Sequence, residues 1–313
     1  MKKDPNEEKT QKMKKILILG ANSYIGTSFH NYLTTQYPGQ YEIKRISLRG
    51  DAWKLENWIG YDSIINVTGK AHADISKLSD EEKQQYYAVN CELAVETAKK
   101  AITDGAAQYI YFSSIIIYGD SSNSRKPVRI TAETKPDPSN FYGDSKWQAE
   151  QRLQKIFDAA TGSTKLAVLR PPMIYGKGSK GNFQMLVKLA EKLRIFPTYH
   201  NERSMLYIEN LSEFLRKLVE DGRGGIFLPQ NREYVSTSDM ICEIAKAKGK
   251  KILCLRWMNP FVKLAFVMPG KIGKRVKKAF GSMTIDKELS LAISDYQRFD
   301  LKESIQRSIS SEK

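Results

Sequence analysis

Lys15-Ile16-Leu17-Ile18-Leu19-Gly20-Ala21-Asn22-Ser23-Tyr24-Ile25-Gly26 is the stretch that decides the fold. Its short apolar run reads as a buried strand. The run stops at Gly20, and a helix is predicted to follow through about Thr34. Strand, glycine turn and helix N-terminus in that order are what a dinucleotide phosphate loop needs. The glycines allow a tight turn and close backbone approach, and the helix end faces the pyrophosphate. Ser23 stands where a middle glycine would be expected. An ordinary strand-to-helix turn is therefore the competing reading of the same residues.

Strands and helices alternate outward from this turn. Tyr41 to Leu48 and Ser63 to Val67 read as strands, and so do Tyr109 to Ser113 and Lys165 to Leu169. Asp80 to Thr103 reads as one helix, with Tyr86, Val89, Leu93 and Ala94 on one stripe. Tyr142 to Ala160 reads as another. Alternation of this kind predicts an α/β protein with a doubly wound parallel sheet and helices on both faces. The pattern changes after about Tyr175, where Gly176 to Gly181 forms a loop. Residues 1–14 read as a charged flexible tail and 15–175 as a cofactor-binding domain. Residues 176–313 read mainly as a smaller substrate-binding domain, with segments returning to the sheet. In such sheets ligands sit at the carboxyl ends of the strands.

Composition narrows the class. With 313 residues, 41% hydrophobic and 27% charged, the chain matches a soluble globular protein. No run approaches the roughly 18 to 20 apolar residues that span a bilayer, and the charged start lacks the apolar core of a secretory signal. Cys91, Cys242 and Cys254 form no metal spacing, and their odd number argues against a disulfide framework. A cytoplasmic location fits, with no metal.

The formal charge of +15 is unevenly placed. No acidic residue lies between Glu243 and Asp286. That segment carries Lys246, Lys248, Lys250, Lys251, Arg256, Lys263, Lys271, Lys274, Arg275, Lys277 and Lys278, interleaved with apolar residues from Trp257 to Met268. A solvated basic face is one reading. Attraction to a polyanionic substrate, or peripheral contact with an anionic membrane at its inner face, is the second. Nucleic acid ranks last, because no recognised binding signature is present.

Three residues carry candidate chemistry. Tyr142 and Lys146, four apart in Asn140-Phe141-Tyr142-Gly143-Asp144-Ser145-Lys146, share one helix face. A lysine ammonium near a phenol favours the phenolate and is expected to lower the tyrosine pKa. A tyrosine so tuned is a general acid or base. Ser114 closes a strand, where a hydroxyl can hydrogen-bond a substrate oxygen as charge develops or merely cap the strand. Beyond the second strand, Asp51 could meet the adenosine end of a cofactor. Arg49 could instead meet a 2′-phosphate, so NAD and NADP both stay open.

Together these residues resemble the extended short-chain dehydrogenase/reductase superfamily, in its NAD-dependent epimerase/dehydratase branch, from about Lys14 to about Asp300. The resemblance implies a Rossmann-type sheet and an NAD or NADP cofactor. It implies Ser114, Tyr142 and Lys146 as the catalytic set. It gives the cofactor Gly20, Asn22, Ser23, Tyr24, Ile25 and Gly26, the strand end Val67, Thr68 and Gly69, then Asn90 and Pro171, with Tyr142 and Lys146 again. Glu133, Pro136 and Pro138 match the approach to the tyrosine, and Leu169 to Gly176 the crossing into the substrate domain. Arg203, within Arg203-Ser204-Met205-Leu206-Tyr207-Ile208-Glu209-Asn210, matches an arginine that binds a nucleotide-sugar diphosphate. Lys70, Ser114 and Asn182 would join it at the substrate. The resemblance also implies a homodimer, paired through the helices 80–103 and 142–160.

The resemblance also narrows the reaction. The branch's 4,6-dehydratases place an Asp-Glu pair directly after the catalytic threonine, and here those positions are Ile115 and Ile116, which carry no proton. A 4-epimerase or 4-ketoreductase of a UDP-hexose or UDP-N-acetylhexosamine is what remains. Likeness in the 181–210 run favours surface-polysaccharide synthesis. Two alternatives stand beside it: a catalytically silent NAD(P)-binding regulator, and an enzyme acting on a lipid-linked sugar diphosphate at the membrane.

Overall fold

A computed structural model describes residues 13–70, 78–120 and 127–310. Residues 1–12 of the charged tail lie outside the described residues. The first half runs β1 (Lys14–Leu19), α1 (Tyr24–Gln36), β2 (Tyr41–Ile46), β3 (Ser63–Asn66), α2 (Asp80–Tyr87), α3 (Leu93–Thr103), β4 (Gln108–Phe112), β5 (Val128–Ile130), α4 (Phe141–Ala159) and β6 (Lys165–Leu169). Then come β7 (Met173–Tyr175), α5 (Asn182–Lys192), β8 (Ile195–Pro197), β9 (Met205–Tyr207), α6 (Ile208–Asp221) and β10 (Gly225–Phe227). The remainder is α7 (Thr237–Ala247), β11 (Leu253–Leu255), α8 (Asn259–Val267), α9 (Gly270–Phe280), β12 (Met283–Ile285) and α10 (Leu301–Ile309).

Six strands form one parallel sheet in the order β2-β1-β3-β4-β6-β10. The order reverses direction between β1 and β3, which is the switch point of a doubly wound Rossmann-type sheet. The 47–62 segment adds no strand outside β2. It makes a short 3₁₀ turn instead, and Trp53 and Trp58 stack at 5.8 Å beneath it. The pleat sorts the core. Ile16, Ile18, Ile65, Ile110 and Ala167 face the α1 and α6 side, while Leu17, Leu19, Ile64, Tyr109 and Tyr111 face α3 and α4.

Register decides where chemistry can collect. Leu19 pairs with Ile46 and Asn66, Asn66 with Tyr111, and Phe112 with Leu169. The residues after each strand end therefore emerge along one edge. Gly20, Val67, Ser113 and Arg170 are those residues. The returning strand β10 lies beside β6, so the second half of the chain shares the sheet. Three small parallel pairs, β5 with β12, β7 with β9 and β8 with β11, hold the C-terminal elements over that edge.

Two expectations are corrected. The helix predicted over Asp80 to Thr103 is interrupted, because residues Ala88–Glu92 form a π-helical turn between α2 and α3. The cysteines are not all separate. Cys242 and Cys254 come together, with Cα atoms 7.7 Å apart, wider than the usual 4.4–6.8 Å disulfide span. Residues twelve apart in sequence meet here because β11 folds back beside α7.

Candidate active site

The turn after β1 is built as the sequence predicts, and Ser23 has its own task there. Its side chain caps α1 by accepting from Gly26 N at 3.0 Å. A Cβ on Gly26 would meet Ser23 Oγ at 2.7 Å and Ile18 at 2.9 Å, so only glycine fits. Gly20 holds φ +112, and a Cβ there would sit 3.1 Å from Thr68 Oγ1. Asn22, Tyr24 and Ile25 occupy this turn and the first helical turn, with Tyr24 reaching Gly176 beyond β7. Arg45 was not singled out in the sequence. It donates to Ala21 O at 3.1 Å and to Thr27 Oγ1 at 2.9 Å, clamping the turn from β2.

The end of β3 faces this turn. Val67 is buried, and Thr68 Oγ1 donates to Leu19 O at 3.0 Å. A Cβ added to Gly69 would lie 3.2 Å from Lys146 Nζ and 3.4 Å from Asn90 Oδ1. Asn90 is fully buried in the π turn. It accepts from Lys70 N at 2.8 Å and donates to Ser145 Oγ at 3.0 Å, joining the β3 loop to α4. Local helix irregularities of this sort often sit at working sites. Lys70 extends its ammonium to Gln85, over the Tyr86 ring.

Ser114 lies two residues past the end of β4 and caps a 3₁₀ turn, accepting from Ile116 N at 3.3 Å. The cap and the hydroxyl expected at the substrate thus fall on one residue. Asn140 caps α4 through Gly143 N at 3.0 Å. Gly143 lets the helix start press on that 3₁₀ turn, since a Cβ would lie 2.9 Å from Ile116 O. This packing brings Tyr142 close to Ser114, whose hydroxyl pulls the phenol pKa down. Lys146 is buried one turn on and donates to Phe112 O at 2.7 Å.

The electrostatics correct one expectation. The Tyr142 ring keeps part of its surface exposed, yet burial around its hydroxyl pushes the phenol up to about 12, against a downward pull from Ser114. Lys146 does not lower it in the protein alone. Its ammonium is engaged by the Phe112 carbonyl, and burial pulls it down to about 8, opposed by the charge of Glu150.

Glu150 and Arg170 also escaped the sequence reading. Arg170 follows β6 and donates to Glu150 of α4 at 3.0 Å through Nε, both side chains being buried. Its Nη1 donates to Tyr118 Oη at 2.5 Å. Next to it, Pro171 O accepts from Ile115 N at 3.1 Å, which sets Pro171 against the Ser114 turn. No local spacing signals this pair, because Glu150 and Arg170 meet only once α4 lies on the sheet.

The outlying candidates sit differently. Arg49 is exposed past the end of β2, and Asp51 pairs with Lys54 at 2.8 Å in its own turn. Asn182 is exposed at the start of α5. Arg203 bridges Val235 and Met283 through its backbone, and its guanidinium donates to Lys278 O at 3.0 Å. Burial pulls that guanidinium down, while the charge of Asp120 holds it up. Arg203 thus faces both the loop after Ser114 and the last turn of α9. The glycine cradles at Gly20, Gly26 and Gly69, lined by Thr68, Asn90 and Lys146, fit a dinucleotide laid across the switch point.

The model for the RmlD substrate binding domain matches residues 13–271. The chain belongs to this family. Two curated relatives are sugar 4-epimerases, and the chain is an enzyme of the NAD(P)-dependent epimerase/reductase group. It is 26% identical over 300 residues to UDP-glucose 4-epimerase of Vibrio cholerae, covering 87% of each chain. It is also 26% identical over 253 residues to N-acetyl-alpha-D-glucosaminyl-diphospho-ditrans,octacis-undecaprenol 4-epimerase of Escherichia coli O157:H7, with 76% of this chain and 73% of that one covered. In fold it resembles a dTDP-4-dehydrorhamnose reductase of Clostridium acetobutylicum, with TM-score 0.68, 18% identity and coverage of 94% and 98%. UDP-glucuronic acid 4-epimerase of Bacillus cereus, solved with NAD, gives TM-score 0.69 at 16% identity, covering 95% and 96%.

Proposed function

We propose that this family member is an NAD(P)-dependent 4-epimerase or 4-ketoreductase of a UDP-hexose or UDP-N-acetylhexosamine, 6-deoxy-4-keto forms included, serving surface-polysaccharide synthesis. One observation carries the reading. Ser114, Tyr142 and Lys146 converge at the carboxyl edge of the sheet beside the Gly20–Gly26 turn, with proton-inert Ile115 and Ile116 directly after the serine.

The residues divide the work by position. Backbone groups of the 20–26 turn would hold the pyrophosphate, with Arg49 or Asp51 toward the adenosine. Val67, Thr68, Gly69, Asn90, Lys146 and Pro171 would surround the nicotinamide end. A bound nicotinamide dinucleotide would supply the hydride acceptor or donor. Tyr142, protonated at neutral pH with its phenol near 12, would give its proton to the sugar oxygen during reduction. In the oxidative direction it would accept that proton, and a charged Lys146 one turn away would favour the phenolate. Ser114 would hydrogen-bond the same oxygen as its charge changes. Arg203 would exchange the Lys278 carbonyl for a diphosphate, a partner of full opposite charge. Lys70 and Asn182 would lie along the sugar nucleotide. A homodimer through α2, α3 and α4 is part of this proposal.

A second reading, a lipid-linked sugar diphosphate as substrate, is favoured by the bond from Arg203 to α9 inside the acid-free basic segment. It needs no change in the chemistry. The silent-regulator reading loses support because a regulator has no use for all three catalytic side chains.

The test is mass spectrometry of products from a panel of sugar nucleotides, with NADH and with NADPH. An isomer of unchanged mass identifies an epimerase, and a gain of two hydrogens a reductase. Loss of water from any substrate, or no product across the panel and its lipid-linked counterparts, overturns the reading.

A further inference from the structure

The segment 257–280 is folded as if a surface were missing from it. Phe261 and Leu264 share one stripe of α8, Trp257 packs edge-on against Phe261 from the turn before it, and Met268 follows at the helix end. Trp257, Phe261 and Leu264 are 63%, 64% and 63% exposed, and Val267 and Ile272 are more than half exposed. The opposite stripe of α8 is also apolar, and it is covered. Val262 is buried there, and Phe266 stacks on Tyr199 at 5.7 Å. A helix apolar on both sides is normally enclosed on both sides. Here one side rests on the core and the other is open.

Charge surrounds the open side. Lys263, Lys274, Arg275 and Lys278 are exposed, and Arg256 stands exposed ahead of α8. Lys246 and Lys248 pair with Glu243 and Glu191. Among the described residues, no carboxylate pairs with Arg256, Lys263, Lys274, Arg275 or Lys278. On α9 the inward residues Val276 and Phe280 pack on the core, and Phe280 stacks on Phe196 at 5.7 Å. The outward face carries the cations.

We propose that α8 and α9 form a docking surface that lies in the interface of an anionic lipid bilayer, with the Trp257–Ile272 apolar stripe inserted and the α9 cations at the headgroups. Short helices with aromatic and leucine side chains on one face and lysine or arginine beside it bind membranes in this way. Among the described residues no helix is long and apolar enough to cross a membrane, so the contact is peripheral. A second copy of this chain is a poorer occupant. A self-facing contact would set the acid-free stretch against itself, like charge on like. Nucleic acid would match the cations and leave the apolar stripe uncovered. The bond from Arg203 to Lys278 O sets this surface directly beside the proposed diphosphate site. Docking does not depend on the catalytic reading.

The experiment is flotation of the full chain, without cofactor or sugar, on vesicles of phosphatidylcholine with and without phosphatidylglycerol. The chain should float with the anionic vesicles at low salt, and raising the salt should weaken binding about tenfold or more. Phe261→Ser with Leu264→Ser should weaken it about tenfold at either salt, with an unchanged thermal midpoint as the folding control. Lys274→Glu with Arg275→Glu should abolish the preference for phosphatidylglycerol. Absence of flotation at low salt overturns the proposal. So does equal binding by the apolar variant, which would mark a generic attraction of a basic protein. A solution dimer dissociated by Phe261→Ser and Leu264→Ser, with no vesicle binding, would make the stripe a contact between copies and also overturn it.

Discussion

The sheet edge and the α8–α9 segment are built on opposite rules. At the edge, polar groups are buried and answered: Asn90 joins the β3 loop to α4, and Glu150 meets Arg170 beneath Lys146. In α8–α9, apolar groups are exposed, and among the described residues no carboxylate pairs with Lys263, Lys274, Arg275 or Lys278. Fixed partners hold a reacting oxygen in one place, which acid–base chemistry requires. Uncovered apolar and basic groups suit a surface that supplies its own partners. The same enzyme thus has one region finished within the fold and one finished from outside.

Substitutions can break this contrast, beginning where the cost is greatest. Glu150→Ala should cost about 3–5 kcal/mol in denaturant unfolding, because Arg170 would be left buried and unpaired. A loss below about 1 kcal/mol would mean that the edge is not held by its buried pair. Ser114→Ala should lower kcat roughly a hundredfold with little change in cofactor binding. An unchanged kcat would reduce Ser114 to a cap.

A pH profile sharpens the same comparison. Burial brings Lys146 down to about 8, so its positive charge is present below that pH and lost above it. The proposed mechanism has this ammonium favour the Tyr142 phenolate once cofactor and sugar are bound, so oxidative kcat should fall as pH rises through about 8. Stability should move the opposite way. Between about 8 and the ordinary lysine value the unfolded chain binds more protons, so unfolding becomes harder as pH rises there. An activity profile flat across this window would remove Lys146 from the tuning role. The smallest effect belongs to the other region: Leu264→Ser should change unfolding free energy by no more than about 0.5 kcal/mol, as expected of an uncovered side chain. A loss of several kcal/mol would show that the stripe is already packed.

What was legible in the sequence follows the same divide. Features set by neighbours in the chain were readable: the 15–26 strand and turn, the Tyr142–Lys146 spacing, and Ser114 at a strand end. The acid-free run from 244 to 285 was visible too, but an exposed and a buried apolar stripe look alike until the core is in place. Features made by distant segments were not readable. Arg45 on the glycine turn, Glu150 with Arg170, and Cys242 beside Cys254 all depend on packing. The π turn at Asn90 was hidden inside an ordinary helical pattern. The Tyr142–Lys146 spacing does not reveal the phenol's pKa, because burial raises it and the lysine is engaged by the Phe112 carbonyl.

The central claim is that Tyr142 moves the proton at a sugar carbinol. Its most direct measurement is turnover of Tyr142→Phe on whichever sugar substrate the wild type converts, with NAD(P)H binding followed by fluorescence. Turnover should fall by about 10²–10⁴ while cofactor affinity stays within about twofold. A variant that binds cofactor normally and keeps most of its turnover would contradict the account.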